Sequence, residues 1–240
     1  MRKKNPKNVI CFFVFIFLLF AAITVVKFYR SEYNNPLMKE KISSLDTKFI
    51  YNIYGSQDPD IQNRLYYGKD SAGINIIAYL DLSSEASRYF IEQIFPQLNQ
   101  TYIDAGILKY YYKYYLTNED ITRKSDNFRY ASALICVKEI KEEAYSDLYF
   151  DIIRNPGIEQ LPKLLQNHGI PIKDYNSCIS KNGFDELYED ALEVETFGMA
   201  GLNQRFYIGI TGTDNTVLDG VPQYRKFERA IIEYETQLGN

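Results

Sequence analysis

Residues Ile74 to Leu98 read INIIAYLDLSSEASRYFIEQIFPQL. Their first seven, INIIAYL, form a short run rich in branched side chains, with Gly73 before it and Ser83-Ser84 after it. That composition predicts a strand buried on both faces at the centre of a sheet. Beyond the serines, Phe90, Ile91, Ile94, Phe95 and Leu98 recur at helical spacing. Ser83 or Ser84 suits the N-cap, and Glu85 in the first turn complements the helix dipole. Pro96 lacks an amide proton, so the spacing also predicts a kink inside this helix.

Working outward, ILKYYYKYYL (Ile107–Leu116) has the aromatic and branched bulk of another strand. Its five tyrosines are read as core and cross-strand packing rather than a stacking platform for bases. From Asn127 to about Glu195 the pattern is helical, punctuated by Gly157, Gly169-Ile170-Pro171 and Gly183. Arg205–Ile210 reads as a strand, Thr216–Leu218 as a possible second one after the TGTDN turn, and Gln223–Leu238 as a closing helix. Upstream, KFIYNIYG (Lys48–Gly55) alternates enough for an edge strand, and residues 27–45 read as a tether. No internal repeat is visible.

The N-terminus has a different character. Arg2, Lys3, Lys4 and Lys7 precede an uncharged apolar run from Val9 to Val26. Eighteen such residues sit at the short end of what spans a bilayer, and exceed the usual core of a cleaved signal peptide. An uncleaved single-pass anchor is expected; the alternative is a signal cleaved near Ala21-Ala22. The basic residues before the run place the N-terminus in the cytoplasm and everything beyond residue 30 outside it. All 31 acidic residues but only 27 − 4 = 23 basic ones follow Val26, so the outer part carries 23 − 31 = −8. Such a balance carries no nucleic-acid footprint.

Thiols and imidazoles are sparse. Cys11 lies in the apolar run, Cys136 and Cys178 lie outside it, and His168 is the single histidine, read as a surface residue before the Gly169 stop. An oxidising compartment permits Cys136 and Cys178 to pair. No C-x-x-C and no metal-ligand spacing is present, so neither metal nor cofactor is expected.

From Gly68 to Asn240 the chain resembles the DsbA-like family of extracytoplasmic thiol oxidoreductases. INIIAYLDLSSEASRYFIEQIFPQL looks like that family's central strand, active-site loop and first long helix, including the helix proline at Pro96. YIDAGILKYYYKYYL is similar to its next strand, and YASALICVKEIKEEAYSDLYFDII to its first insertion helices. CISKNGFDELYEDALEVETFGMAGLNQRFYIG is similar to the return into the last strands. The resemblance implies an α/β thioredoxin fold with an inserted helical subdomain over about 125–196, preceded here by one transmembrane helix. The expected organisation is a basic tail (1–8), an anchor (9–26), a tether with an edge segment (27–67) and the thioredoxin domain (68–240).

What the resemblance implies for chemistry is a loss. The family's C-x-x-C corresponds to Ser84, Glu85, Ala86 and Ser87. A helix N-terminus makes a cysteine there reactive by stabilising its thiolate, but a serine forms no disulfide. A nucleophilic serine would need a base, and no G-x-S-x-G occurs. The family's cis-proline falls at Asn203, in Gly201-Leu202-Asn203-Gln204; a cis bond before a non-proline costs about 2.5–4 kcal/mol, so a trans bond is expected. Ser84, Ser87 and Asn203 are thus degenerate active-site positions, and Ser84, Glu85, Ser87, Asn203 and Gln204 a possible partner groove. Some relatives carry a structural disulfide in the insertion, which Cys136 and Cys178 would match; two buried thiols are the alternative. The expected protein is redox-inactive, anchored in the membrane through residues 9–26, and acts outside the cytoplasm as an interaction module or accessory subunit for a protein partner. The alternative is a thiol-disulfide oxidoreductase or chaperone for secreted proteins that uses non-standard cysteines.

Overall fold

The computed structural model describes residues 58–181, 183–199, 201–202 and 204–239. The apolar run 9–26, the tether and the edge strand expected at Lys48–Gly55 lie outside them. Among the described residues no helix is long and apolar enough to cross a membrane.

The quoted stretch builds the centre. Strand β2 (Ile74–Leu80) is buried at every position, as a branched run with no exposed face requires. It lies parallel to β3 (Leu108–Tyr114) and antiparallel to β4 (Gln204–Ile210). Strand β1 (Tyr66–Tyr67) pairs antiparallel with β3, and β5 (Thr216–Asp219) with β4, giving the order β1-β3-β2-β4-β5. The sheet therefore starts before Gly68, with two tyrosines too short a run to show a strand period. Gly68 ends β1 at φ +127, and a Cβ there would come 2.9 Å from the Leu108 carbonyl oxygen, so glycine is needed at this turn.

Register divides the side chains. Ala78 stands opposite Tyr112 and Phe206, and Tyr79 opposite Lys113 and Arg205. On the first face, rings close the core: Phe90 lies 4.6 Å from Phe206, which lies 5.0 Å from Phe227. Tyr110, Tyr112 and Tyr114 meet α5 (Tyr145–Arg154), where each hydroxyl finds a partner in Tyr149, Ser146 and Tyr145 respectively. Buried phenols with satisfied hydroxyls are packing, so the tyrosine-rich strand is core, as its composition predicts.

The helix after β2 begins with α1 (Glu85–Tyr89), widens into a π-helical turn (Phe90–Ile94), resumes as α2 (Phe95–Leu98) and ends in a second π turn (Asn99–Ile103). Pro96 sits in the first turn of α2, where a missing amide is least costly. The expected kink thus takes the form of a π turn before the proline.

Between β3 and β4 comes the helical block: α3 (Asn118–Arg123), α4 (Asp126–Ile140), α5, α6 (Leu161–Asn167), α7 (Ile172–Ser180) and α8 (Asp185–Thr196). A disulfide joins Cys136 of α4 to Cys178 of α7. His168 is half-buried rather than free on the surface, with Nε2 2.9 Å from Asp151 of α5. Replacing both cysteines by alanine is expected to lower stability by about 4 kcal/mol on the chain-entropy model for this loop, read as a shift of the urea midpoint.

The second sheet face is covered by α8 and is charged. Lys113 has no exposed side-chain surface and lies 3.0 Å from Asp190 and 2.5 Å from Glu193. Arg64, just before β1, pairs with Glu186, Glu189 and Asp190 at 2.8, 3.0 and 2.8 Å. Tyr79 donates its hydroxyl to Glu193, and the Tyr114 amide donates to Asp190. Removing one partner of such a buried set leaves charges without compensation. Lys113→Ala is accordingly expected to cost about 3–5 kcal/mol in denaturant titration.

Candidate functional site

The site lies where β2 ends and α1 begins. Asp81 opens it with an Asx turn, its Oδ1 accepting from the Ser83 amide at 2.9 Å and the Ser83 hydroxyl at 2.7 Å. The Ser84 amide donates to the Asp81 carbonyl at 3.1 Å. Ser84 itself is the N-cap of α1: its Oγ accepts from the Ser87 amide at 3.1 Å. The same Oγ lies 3.0 Å from the Asp81 carbonyl oxygen and 2.9 Å from Ser87 Oγ. Ser87 is fully buried. The two hydroxyls face each other across the first turn, and Ser84 takes the N-cap place expected for it or Ser83.

Two residues that the sequence pattern does not single out hold this loop in place. Asn127, at the start of α4, accepts from the Leu82 amide at 2.9 Å and donates to the Tyr115 carbonyl at 2.7 Å, both within the interior. Tyr115 in turn donates its hydroxyl to the Met199 carbonyl at 2.9 Å, tying the end of β3 to the loop before β4. Asparagine behind the S-D-N helix start has no distinguishing signal in one sequence. Asp81 is legible, since D-L-S-S is a local turn pattern.

Burial pushes the Asp81 carboxyl up, against the stabilising hydrogen bonds from Ser83, with Asp120 adding a smaller push in the same direction. The side chain of Glu85 is exposed and reaches Arg88 at 3.3 Å, so it belongs to the solvated rim. Gln204 is not on a groove wall. It is fully buried opposite Leu80, and its Nε2 donates to the Gly220 carbonyl at 2.5 Å. That register at the start of β4 turns the side chain toward the β5 end. Asn203 and its expected trans peptide lie outside the described residues. Among the described residues no group of three His, Cys, Asp or Glu side chains is arranged to hold a metal.

A sheet in the order β1-β3-β2-β4-β5, with a helix leaving the end of its central strand and a helical block inserted between β3 and β4, defines a thioredoxin-type domain enlarged by a helical subdomain. The chain belongs to the thioredoxin family, whose profile matches residues 60–203. None of the curated proteins matches it in sequence. Among solved structures it is similar to alpha-DsbA1 of Wolbachia pipientis, at 18% identity and a TM-score of 0.63, covering 74% of this chain and 94% of that one. It is also similar to oxidised BdbD of Bacillus subtilis (14%, TM-score 0.62, 73% and 95%). A third similar structure is the thiol-disulfide exchange protein alpha-DsbA2 of Wolbachia pipientis (19%, TM-score 0.57, 82% and 96%). The expected DsbA-like fold is thereby met.

Ser84→Ala is expected to cost about 1 kcal/mol, the usual value of an N-cap. Asn127→Ala should cost more, about 1–3 kcal/mol, because it strands a buried amide and a buried carbonyl. Urea titration of the two variants side by side checks that ordering.

Proposed function

We propose that this protein is a redox-inactive, DsbA-like thioredoxin domain, held at the membrane through residues 9–26, that acts outside the cytoplasm as an interaction module or accessory subunit. The observation that carries the reading is the Ser84–Ser87 pair. Where the related fold needs two thiols, Ser84 and Ser87 bring two hydroxyls 2.9 Å apart, and the Ser84 oxygen caps the helix by accepting from the Ser87 amide. A hydroxyl forms no mixed disulfide, so the helix dipole that would activate a cysteine here has no thiolate to stabilise. The two remaining thiols of the domain are bonded to each other within the insertion, with Cys136 fully buried and Cys178 nearly so. Neither offers the exposed sulfur that exchange requires.

Partner recognition needs no thiol, since an extended peptide can pair its backbone with exposed strand edges. The outer part's charge of −8, from 23 basic and 31 acidic residues after Val26, favours a partner that presents basic groups. The competing reading, thiol-disulfide exchange, draws on alpha-DsbA2, which is described as a thiol-disulfide exchange protein. Here it would have to work through Cys136 and Cys178.

An insulin-reduction assay separates the two. The unmodified protein is expected to be inactive, and S84C/S87C to form a disulfide and gain activity. Activity in the unmodified protein that disappears in C136A/C178A would establish exchange instead. Purification of the tagged full-length chain from membranes in mild detergent should also retain a stoichiometric protein partner. Recovery of the chain alone would remove the subunit role.

A further inference from the structure

Behind β2 and β3, away from the serines, an amine and a carboxyl are held against each other in the interior. Lys113 of β3 and Glu193 of α8 lie 80 residues apart in the chain, and neither has exposed side-chain surface. Nζ of Lys113 stands 2.5 Å from Oε2 of Glu193. As ions, the two carry the cost of leaving water with their charges. Joined as an amide, they carry no charge and that cost falls to the smaller one of burying a neutral polar group.

The groups around this pair supply what amide formation needs. An ammonium is no nucleophile until a base takes a proton from it. Asp190 Oδ1 lies 3.0 Å from Nζ, with Arg64 offsetting its charge from 2.8 Å. That oxygen is buried and, among the described residues, accepts no hydrogen bond, so a lone pair stands open. Burial raises the Asp190 carboxyl against Arg64 and Lys113, which makes it a better base than an ordinary aspartate. The carboxyl under attack needs a donor for the oxygen that gathers negative charge. The Asp60 amide donates to Glu193 Oε1 at 2.9 Å, the distance at which an oxyanion donor works. The oxygen that leaves needs a proton, and the Tyr79 hydroxyl donates to Oε2. Burial, first of all, pushes that phenol well above its ordinary value, so it holds its proton.

A neighbouring pair on the same helix shows the contrast. Lys138 of α4 and Glu186 of α8 are the same two residue types, 2.8 Å apart, yet keep 24% and 20% of their side-chain surface exposed. Water reaches them, and Glu186 is shared with Arg64 at 2.8 Å, so its carboxyl stays below the usual range and remains an ion. Of the two lysine–glutamate pairs, only the buried one has a base, an oxyanion donor and an acid arranged about it.

We propose that Lys113 and Glu193 become joined by an intramolecular isopeptide bond, which staples β3 to the last helix of the insertion. The ion pair is the state before the bond. Nζ gives a proton to Asp190 and attacks Cδ of Glu193, while charge gathers on Oε1 in front of the Asp60 amide. The Nζ–Cδ bond forms and the Cδ–Oε2 bond breaks. Oε2 leaves as water with the two protons that Nζ has lost, passed on through Asp190 and the Tyr79 hydroxyl. One ammonium and one carboxylate thus become one amide and one water, with no net proton and no change of oxidation state. Folding supplies the proximity that makes such a step effectively unimolecular.

Peptide mapping by mass spectrometry of the full-length chain, purified in detergent and with its disulfide reduced, tests this. The tryptic cut after Lys113 should be lost while the cut after Lys109 persists. The peptides carrying Lys113 and Glu193 should appear as one branched species, lighter than their sum by one water, with Lys138 and Glu186 unjoined. D190N, which lacks the base, should keep the disulfide and the circular dichroism of the fold but lose the branch. The unmodified chain decides the bond whether or not that variant folds. Complete cutting after Lys113, with the two peptides recovered separately, would leave ion pairs only and overturn the bond. A missing water that maps elsewhere would overturn it too, and a branch undiminished in folded D190N would overturn the part given to Asp190.

Discussion

Burying a lysine at the middle of a sheet constrains everything around it. Lys113 sits on β3 with no exposed surface, directly across from Tyr79. Its ammonium group has to meet carboxylates within ion-pair distance or the strand could not occupy the centre of the domain. Those carboxylates come from α8, the last helix of the insertion. The helical block is therefore locked to the sheet by charge as well as by apolar contact, and α8 is fixed in rotation because Glu186, Glu189, Asp190 and Glu193 must lie along one side of it. Arg64 extends the same set to the segment ahead of β1.

This arrangement bears on the site at the end of the sheet. β2 delivers Asp81 to Ser84 to the mouth of the fold, and Asn127 and Tyr115 connect that loop to α4 and to Met199. Thioredoxin-type domains use such rigidity to hold a reactive sulfur at a helix N-terminus. Here the same rigidity presents a capped helix. The Ser84 hydroxyl satisfies a backbone amide that the helix start would otherwise leave open. Backbone pairing and shape at such a surface do not depend on sulfur.

Much of this was legible in the residues. The branched run INIIAYL predicts a strand covered on both faces, because its side chains are bulky and mostly apolar on either side. The cap at Ser83 or Ser84 was legible too, because a serine just before a helical run with Glu85 in the first turn is a local signal. The aromatic bulk of β3 and the Gly and Pro punctuation of the insertion likewise follow from local chemistry. The register of β4 was not legible: a shift of one residue would have exposed Gln204, and only pairing with Leu80 buries it and turns its amide to Gly220. Nor did the two-residue strand Tyr66–Tyr67 announce itself, since so short a run carries no period.

The sequence by itself determined the thioredoxin-type fold and the absence of a vicinal thiol pair, because both rest on the identity and spacing of neighbouring residues. Tertiary structure alone decided that Lys113, in the tyrosine-rich strand, would meet Asp190 and Glu193 far along the chain, and that Arg64 would join them. Charge pairing at that range is set by how the insertion folds back over the sheet. Local propensity does not encode it, whereas burial in a low-dielectric interior enforces it.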